Sequence, residues 1–333
     1  MSYLKIRALA APAVLLITVS EGAFRGYCDT RTPLIASLTA AIVNVIFDPI
    51  LMFKPLKMGV SGAAAATAGS QISAMLVYLN VIHKRKMVRY SLSSSPVKHQ
   101  QIKNKRRKVI YTILRANVSM LMKQFSLLVA WSYATSRATS IGHVHVAAHQ
   151  ITLSLWLLFA LVQDGLAVAA QVLMSRTTSL HSKRSLTFYM VKASVLQSIL
   201  CSLIIYLLRG FLPVFSKDSR VLEKLQLLMP VLIAFQPLVS ATLVMESIVV
   251  GGNCFLLLAF GTFVATVGSM VILRKAESVV SIWMYGLTSL FIGRFIVAII
   301  GVLYLNGLRW PKSWKRKNIQ QPIPPPIDFD SQT

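Results

Sequence analysis

Ten acidic residues occur in 333, and four of them, Glu21, Asp48, Asp164 and Glu246, lie within or at the edges of long apolar runs. An ionised carboxylate in hydrocarbon is costly, so each must be paired with a cation, take up a proton, or serve a functional site. A carboxylate whose proton exchanges near physiological pH is what a proton-coupled exchanger needs. Cations share the same runs. Lys123 lies deeper than reach from a membrane face easily explains, and Arg294 is a further buried-charge candidate. The plain alternative for Glu246 or Asp164 is therefore a structural pair with Lys123 or Arg294. For Glu21 and Asp48 the structural reading is the stronger one.

Spacing adds a second signal. Pro12, Glu21 and Gly26 stand nine and five residues apart, and Pro237, Glu246 and Gly251 repeat both intervals. Each set falls on an apolar segment, where it would place a kink, a carboxylate and a small-residue exit at matching depths. That pattern reads as an internal repeat of the kind transporters carry. Arg25, Asp29 and Arg31 follow the first copy and can pair together or cap the next helix, which Thr32-Pro33 suits as a start. Asp48-Pro49 marks an expected helix break, because proline frees backbone carbonyls. Asp164 and Gln171, seven residues apart, share one helix face. Asn117, Gln150 and Gln171 are candidates for hydrogen-bonding a solute, or equally for joining helices.

The elements that must position these residues are membrane spans. The chain is 55% apolar with a mean hydropathy of +0.63. Its apolar residues come in nine runs of membrane-spanning length, at about 8–24, 34–53, 59–82, 109–135, 146–173, 188–208, 225–250, 254–273 and 279–305. The runs do not alternate in polarity, so a barrel is excluded. The expectation is an all-α polytopic membrane protein. Three spans form a partial N-terminal bundle over 1–82, and six form a complete C-terminal bundle over 109–308. Between them lies a basic, polar linker loop, 83–108. In the third span Gly62, Ala66 and Ser70 make a small-residue face for close helix packing.

The net charge of +25 is concentrated in loops: ten Lys/Arg from His83 to Lys108, and five from Arg309 to Lys317. Placing both on the cytosolic side satisfies the positive-inside rule and puts the first residue outside. The bias marks topology, so no nucleic acid is expected as a partner; the lipid bilayer is. Cys28, Cys201 and Cys254 fall in or near separate spans, which suggests neither a disulfide framework nor a metal site. His143 and His145 lack neighbouring ligands, and no metal or cofactor is expected. Trp131, Trp156 and Trp283 read as interface or packing residues. The start MSYLKIR reads as no cleavable signal. The tail, 309–333, is basic and then Pro-rich, and its end, QPIPPPIDFDSQT, reads as disordered.

The segments RALAAPAVLL, GAFRGYCDTRTPL, NVIFDPIL, GVSGAAAATAGSQ, AAHQI, DGLAVAAQ and PVLIAFQPL resemble the multidrug and toxic compound extrusion (MATE) family. Its plant members are called DETOXIFICATION proteins, and the wording is closest to the subgroup with citrate exporters and plastid members. The resemblance covers about 300 of the 333 residues. It implies two six-helix bundles in a V around a cavity, with these nine spans matching the family's last nine. It implies export of an organic solute (xenobiotic, organic cation or carboxylate such as citrate) in exchange for H⁺ or Na⁺. Asp164, Glu246 and Lys123 then become the candidates for ion coupling. The chain departs from the family pattern at Glu21, Ser140, Glu246-Ser247 and Cys254. A non-transporting or regulatory derivative is the alternative, and a polytopic membrane enzyme a weaker one, since no clustered catalytic motif occurs. The plasma membrane and the plastid envelope are the expected locations, with the C-terminus cytosolic.

Overall fold

The computed structural model describes residues 2–27, 29, 31–53, 57–85 and 96–307. Among them every regular element is helical, and the chain divides into two compact units, with the boundary between Gln100 and Gln101. Helices stand at all nine expected positions. Seven are long and apolar enough to cross a membrane, and an eighth qualifies if a bent pair at the start counts as one span. The remaining one, fourth in order, is α5, whose charged residues lower its apolarity. Residues 86–95 of the expected linker and the tail from 308 onward lie outside the described residues. The rest of that linker differs from expectation: 96–108 form the first turns of α5 and are not loop.

In the first unit, α1 (Ser2–Leu9) and α2 (Ala11–Gly26) meet at a 44° bend. Pro12 sits in the first turn of α2, where its missing N–H costs nothing and its fixed φ suits a helix start. The proline therefore marks the break that its position suggested. At Asp48-Pro49 the outcome differs. Helix α3 (Arg31–Met52) runs through Pro49 without interruption. Pro49 lies in the last turn, so only one intrahelical hydrogen bond near a terminus is lost, and the flanking apolar residues keep the turn helical.

Helix α4 (Val60–Lys84) packs against α1, α2 and α3 and is the centre of this unit. Five of its six buried positions, Gly62, Ala66, Ser70, Ala74 and Tyr78, recur every four residues and form one stripe, with Ala64 buried beside it. Small side chains over most of that stripe let α3 come close, and Tyr78 closes its end against Phe24, with ring centroids 5.6 Å apart. Arg7 in α1 donates to Gln71 Oε1 at 3.1 Å.

Asp29 joins the two ends of this unit. Its Oδ1 accepts from the backbone N–H of Arg31 and Thr32, capping α3, and its Oδ2 accepts from the Thr32 hydroxyl. Arg85, just beyond α4, adds an ion pair at 2.6 Å. The cation on Asp29 is thus Arg85, not Arg25 or Arg31. Arg25 instead reaches Glu21 at 3.5 Å, one helical turn away and in an exposed setting. Burial works against the charge on Asp29, but the hydrogen bonds from Thr32 and Arg85 outweigh it and hold its carboxyl below the usual carboxylate range. A lowered folded-state value means that this contribution is complete above about pH 4 and is lost as pH falls through the lowered value. Asp29→Ala is expected to cost about 1 kcal/mol at pH 7, shown by the unfolding midpoint. The difference from the unaltered chain should shrink as the medium is acidified.

The second unit contains α5 (Pro96–Ile141) from Gln101 onward, α6 (His143–Arg176), α7 (Leu180–Leu208), α8 (Ser219–Gly251), α9 (Phe255–Arg274) and a last helix, Val279–Leu305. Helix α8 is the hub, touching α6, α7, α9 and the last helix. Leu225, Leu228, Met229, Leu232, Phe235 and Val239 give it a buried face at helical spacing. It passes through Pro230 and Pro237 as one helix. Pro237 cannot donate to the carbonyl of Ile233, and the Ser202 hydroxyl of α7 fills that place at 3.0 Å. Gly142, at φ 148°, joins α5 to α6 in a conformation that other residues rarely adopt. The last helix contains one π turn, Ile282–Leu287.

Candidate functional site

The buried charges gather at one point of the second unit. Glu246 on α8 accepts from Arg294 of the last helix through both oxygens, Nε to Oε1 at 2.8 Å and Nη2 to Oε2 at 2.9 Å. Lys123 of α5 reaches Oε2 at 2.7 Å. Three helices distant in sequence are thereby tied together. The Glu246 and Arg294 side chains are 3% and 4% exposed, and Lys123 is 12% exposed. The fork-to-fork arrangement fits an ionised carboxylate, since both oxygens face N–H donors of cations. The Arg294 guanidinium also lies over the Phe291 ring at 4.5 Å.

The composition of the cluster is two cations to one anion. Desolvating three charges is expensive, and a bidentate pair offsets much of that for Glu246 and Arg294. Lys123 is the surplus cation. Lysine offers three N–H donors, and one of them is engaged by Glu246.

Phe291 connects this cluster to an aromatic one. It meets Trp156 edge-on at 5.8 Å and Phe235 at 5.0 Å, while Trp283 lies 5.9 Å from Trp131. Trp131 and Trp156 are 4.6 Å apart. These tryptophans pack with one another in the interior of the unit. His149 sits among them, fully buried. The Trp283 indole N–H donates to His149 Nδ1 at 3.1 Å, which leaves the imidazole proton on Nε2, facing the Thr135 hydroxyl at 3.0 Å. Nothing in the local sequence announces this relay, because its members come from α5, α6 and the π turn. His145 is engaged as well, its Nδ1 accepting from the backbone N–H of Val279.

The other candidates are dispersed. Asp164 is exposed on α6, and its neighbour Gln163 is the buried one, donating to Gln236 of α8 at 2.7 Å. Gln171 is half-buried, and the backbone there approaches Gly251 closely enough that a Cβ on Gly251 would stand 2.5 Å from the Gln171 carbonyl oxygen. Asn117 and Gln150 are exposed. Asp48 is half-buried, with Oδ1 accepting no hydrogen bond among the described residues. Glu21 is half-buried beside Arg25. The two carboxylates at matching repeat positions, Glu21 and Glu246, therefore occupy unlike surroundings.

No family model matches the sequence. Among curated proteins, the chain is 30% identical over 293 residues to Protein DETOXIFICATION 43 of Arabidopsis thaliana, covering 84% of this chain and 52% of that protein. It is 30% identical over 300 residues to Protein DETOXIFICATION 44, chloroplastic, of the same plant, covering 88% and 54%. It is 24% identical over 241 residues to the probable multidrug resistance protein NorM of Thermotoga maritima, covering 70% and 50%. The chain spans about half the length of these relatives. Among solved structures, it aligns with MATE in the straight conformation at a TM-score of 0.74 and 20% identity, covering 91% of this chain and 68% of that one. It also aligns with an outward-facing multidrug resistance MATE family transporter at a TM-score of 0.71 and 20% identity, over the same shares.

Proposed function

The chain belongs to the multidrug and toxic compound extrusion family, of the plant DETOXIFICATION type, and from that premise we propose that it serves secondary active export of an organic solute. The transport is antiport, with alternating access and H⁺ or Na⁺ as the counter-moving ion. The observation that carries this reading is the charge cluster of Lys123, Glu246 and Arg294, which spans three helices of one membrane unit. Charges at such depth mark solute and ion routes far more often than they contribute to stability. The membrane-enzyme alternative has no support from these relatives, which are named as DETOXIFICATION and multidrug resistance proteins.

Asp164 and Glu246 take different parts in this scheme. Glu246 is held by two cations, and freeing it to carry a proton requires both to move. Asp164 is exposed on α6 and is held in no such cluster among the described residues. Asp164 is therefore the coupling carboxylate, and Glu246 with Lys123 forms the fixed polar floor of the route. Asn117, Gln150 and Gln171, which lie apart, supply hydrogen bonds to the solute at successive points of its route. The protein sits in the plastid envelope or the plasma membrane, with its C-terminus cytosolic, in keeping with the basic loop and tail.

The test is flux in proteoliposomes holding the purified chain, with an imposed pH or Na⁺ gradient. An organic cation dye and a labelled small carboxylate serve as probes. Gradient-driven movement of either probe is the expected result. Asp164→Asn should leave downhill movement in place while abolishing its dependence on the gradient. Folded protein that moves neither probe under any gradient would refute the exporter.

A further inference from the structure

We infer that the notch between the end of α9 and the start of the last helix seats the headgroup of an anionic phospholipid. Its phosphate rests on Lys275, and one acyl chain lies along α9. The notch has a volume of about 220 Å³, walled by Val271, Ile272, Lys275 and Ala276 on one side and by Ser281 and Tyr285 on the other. All of it belongs to the second unit. The turn 275–278 joins two membrane-spanning helices, which sets the notch at a membrane surface.

The first ground is charge. Ser281 is committed to Ser278 in the cap of the last helix, so Lys275 and Tyr285, both exposed, are the polar groups open to a ligand. None of the ion pairs among the described residues involves Lys275, or Glu277 two positions on. Arg274 precedes Lys275, and Arg137 of α5 reaches the same turn, its Nη2 donating to the Ala276 carbonyl at 2.9 Å. The local sum is therefore Arg137, Arg274 and Lys275 against Glu277. That excess attracts an anionic headgroup. The ammonium of a zwitterionic lipid would meet it as like charge.

The second ground is shape. Phe260, Val264, Val267 and Val271 are exposed and recur at helical spacing, forming one stripe along α9 that the position of Lys275 continues. Any span shows lipid an apolar face. This face is grooved, because Gly268 lies within the stripe and a Cβ there would meet nothing within 4 Å. An acyl chain laid in that groove brings its phosphate to the Lys275 ammonium. Tyr285 flanks the phosphate from the last helix, in the place where phenols gather at membrane surfaces.

The experiment is native mass spectrometry of the full chain, delipidated in detergent and titrated with dioleoylphosphatidylglycerol or dioleoylphosphatidylcholine. A single preferred phosphatidylglycerol site is expected, weakened about fivefold in Lys275→Met and kept in Lys275→Arg. Gly268→Leu, which fills the groove, should weaken it as well. Both positions are exposed, so neither change disturbs a packed contact. Arg209→Met, which removes an exposed cation at the end of α7, should leave the site as it was. Equal affinity for the two lipids would overturn the assignment, as would undiminished binding in Lys275→Met or Gly268→Leu. An equal loss in Arg209→Met would reduce the effect to general surface charge and overturn it too. Glycerol phosphate, the headgroup without its chains, is the competitor. Displacement of the lipid at equal concentration would assign the notch to a free phosphate and overturn the lipid. The site needs membrane-spanning helices and no transport, so a chain that moves no solute would refute the exporter and leave this site standing.

Discussion

Glu246→Leu is expected to be the most destabilising change at the charge cluster, costing about 3–5 kcal/mol. The substitution leaves Lys123 and Arg294 facing one another with no anion between them, and Arg294 is too buried to reach water. Arg294→Met should cost less, because a Lys123–Glu246 pair remains. Lys123→Met should cost least, because the bidentate pair remains. The order follows from the residual charge in each variant, +2, 0 and 0, and from the number of hydrogen bonds left to Glu246. The double variant Glu246→Leu/Arg294→Met should recover much of the loss, since only one cation remains and it is the most exposed of the three side chains. Unfolding midpoints in mixed detergent micelles test the series. Equal midpoints for Glu246→Leu and Lys123→Met would mean that the cluster is not held by charge balance.

Gly62→Val is expected to cost about 3 kcal/mol, the second-largest effect. A Cβ on Gly62 would stand 2.4 Å from the Leu51 carbonyl oxygen, 2.6 Å from its carbon and 3.0 Å from the Met52 nitrogen. All three are backbone atoms, so no side chain can turn away, and the end of α3 must separate from the start of α4. Gly69 lies on the same helix with nothing within 4 Å of the corresponding position. Gly69→Val should therefore change stability by no more than about 0.5 kcal/mol. Hydrogen exchange across the α3–α4 turn, measured on both variants, should rise only for Gly62→Val. Matching exchange in the two would show that close backbone approach at Gly62 does not limit stability.

The Gly62 stripe was legible because a stripe is local information. Helical period places Gly62, Ala66 and Ser70 on one face wherever the helix goes, and small residues there have few uses besides close packing. Pro12 was legible for the same reason, since a proline near a helix start acts within its own turn. Pro49 was not, because whether a proline ends a helix depends on how many turns follow and what holds them. Residues 96–108 are polar and were expected to be loop, yet α5 begins at Pro96. Good helix formers such as Lys, Arg and Gln extend a span beyond its apolar length, and hydropathy does not register that.

By itself the sequence determined the class: an all-helical membrane protein, where its spans lie, which faces are small, and which few charges must be accounted for. Chain-local physics decides those matters, through the length of apolar runs, helical period and the cost of charge in hydrocarbon. The tertiary structure alone decided what each charge meets. Glu21 and Glu246 share the same intervals to a proline and a glycine, yet one pairs with an exposed Arg25 and the other with two cations from distant helices. Lys123, Glu246 and Arg294 are brought together by the packing of α5, α8 and the last helix. The His149 relay likewise depends on a π turn that turns Trp283 toward α6. Helical period says which residues share a face. It carries no information on which face of another helix will lie opposite, and the chemistry of this site resides in that pairing.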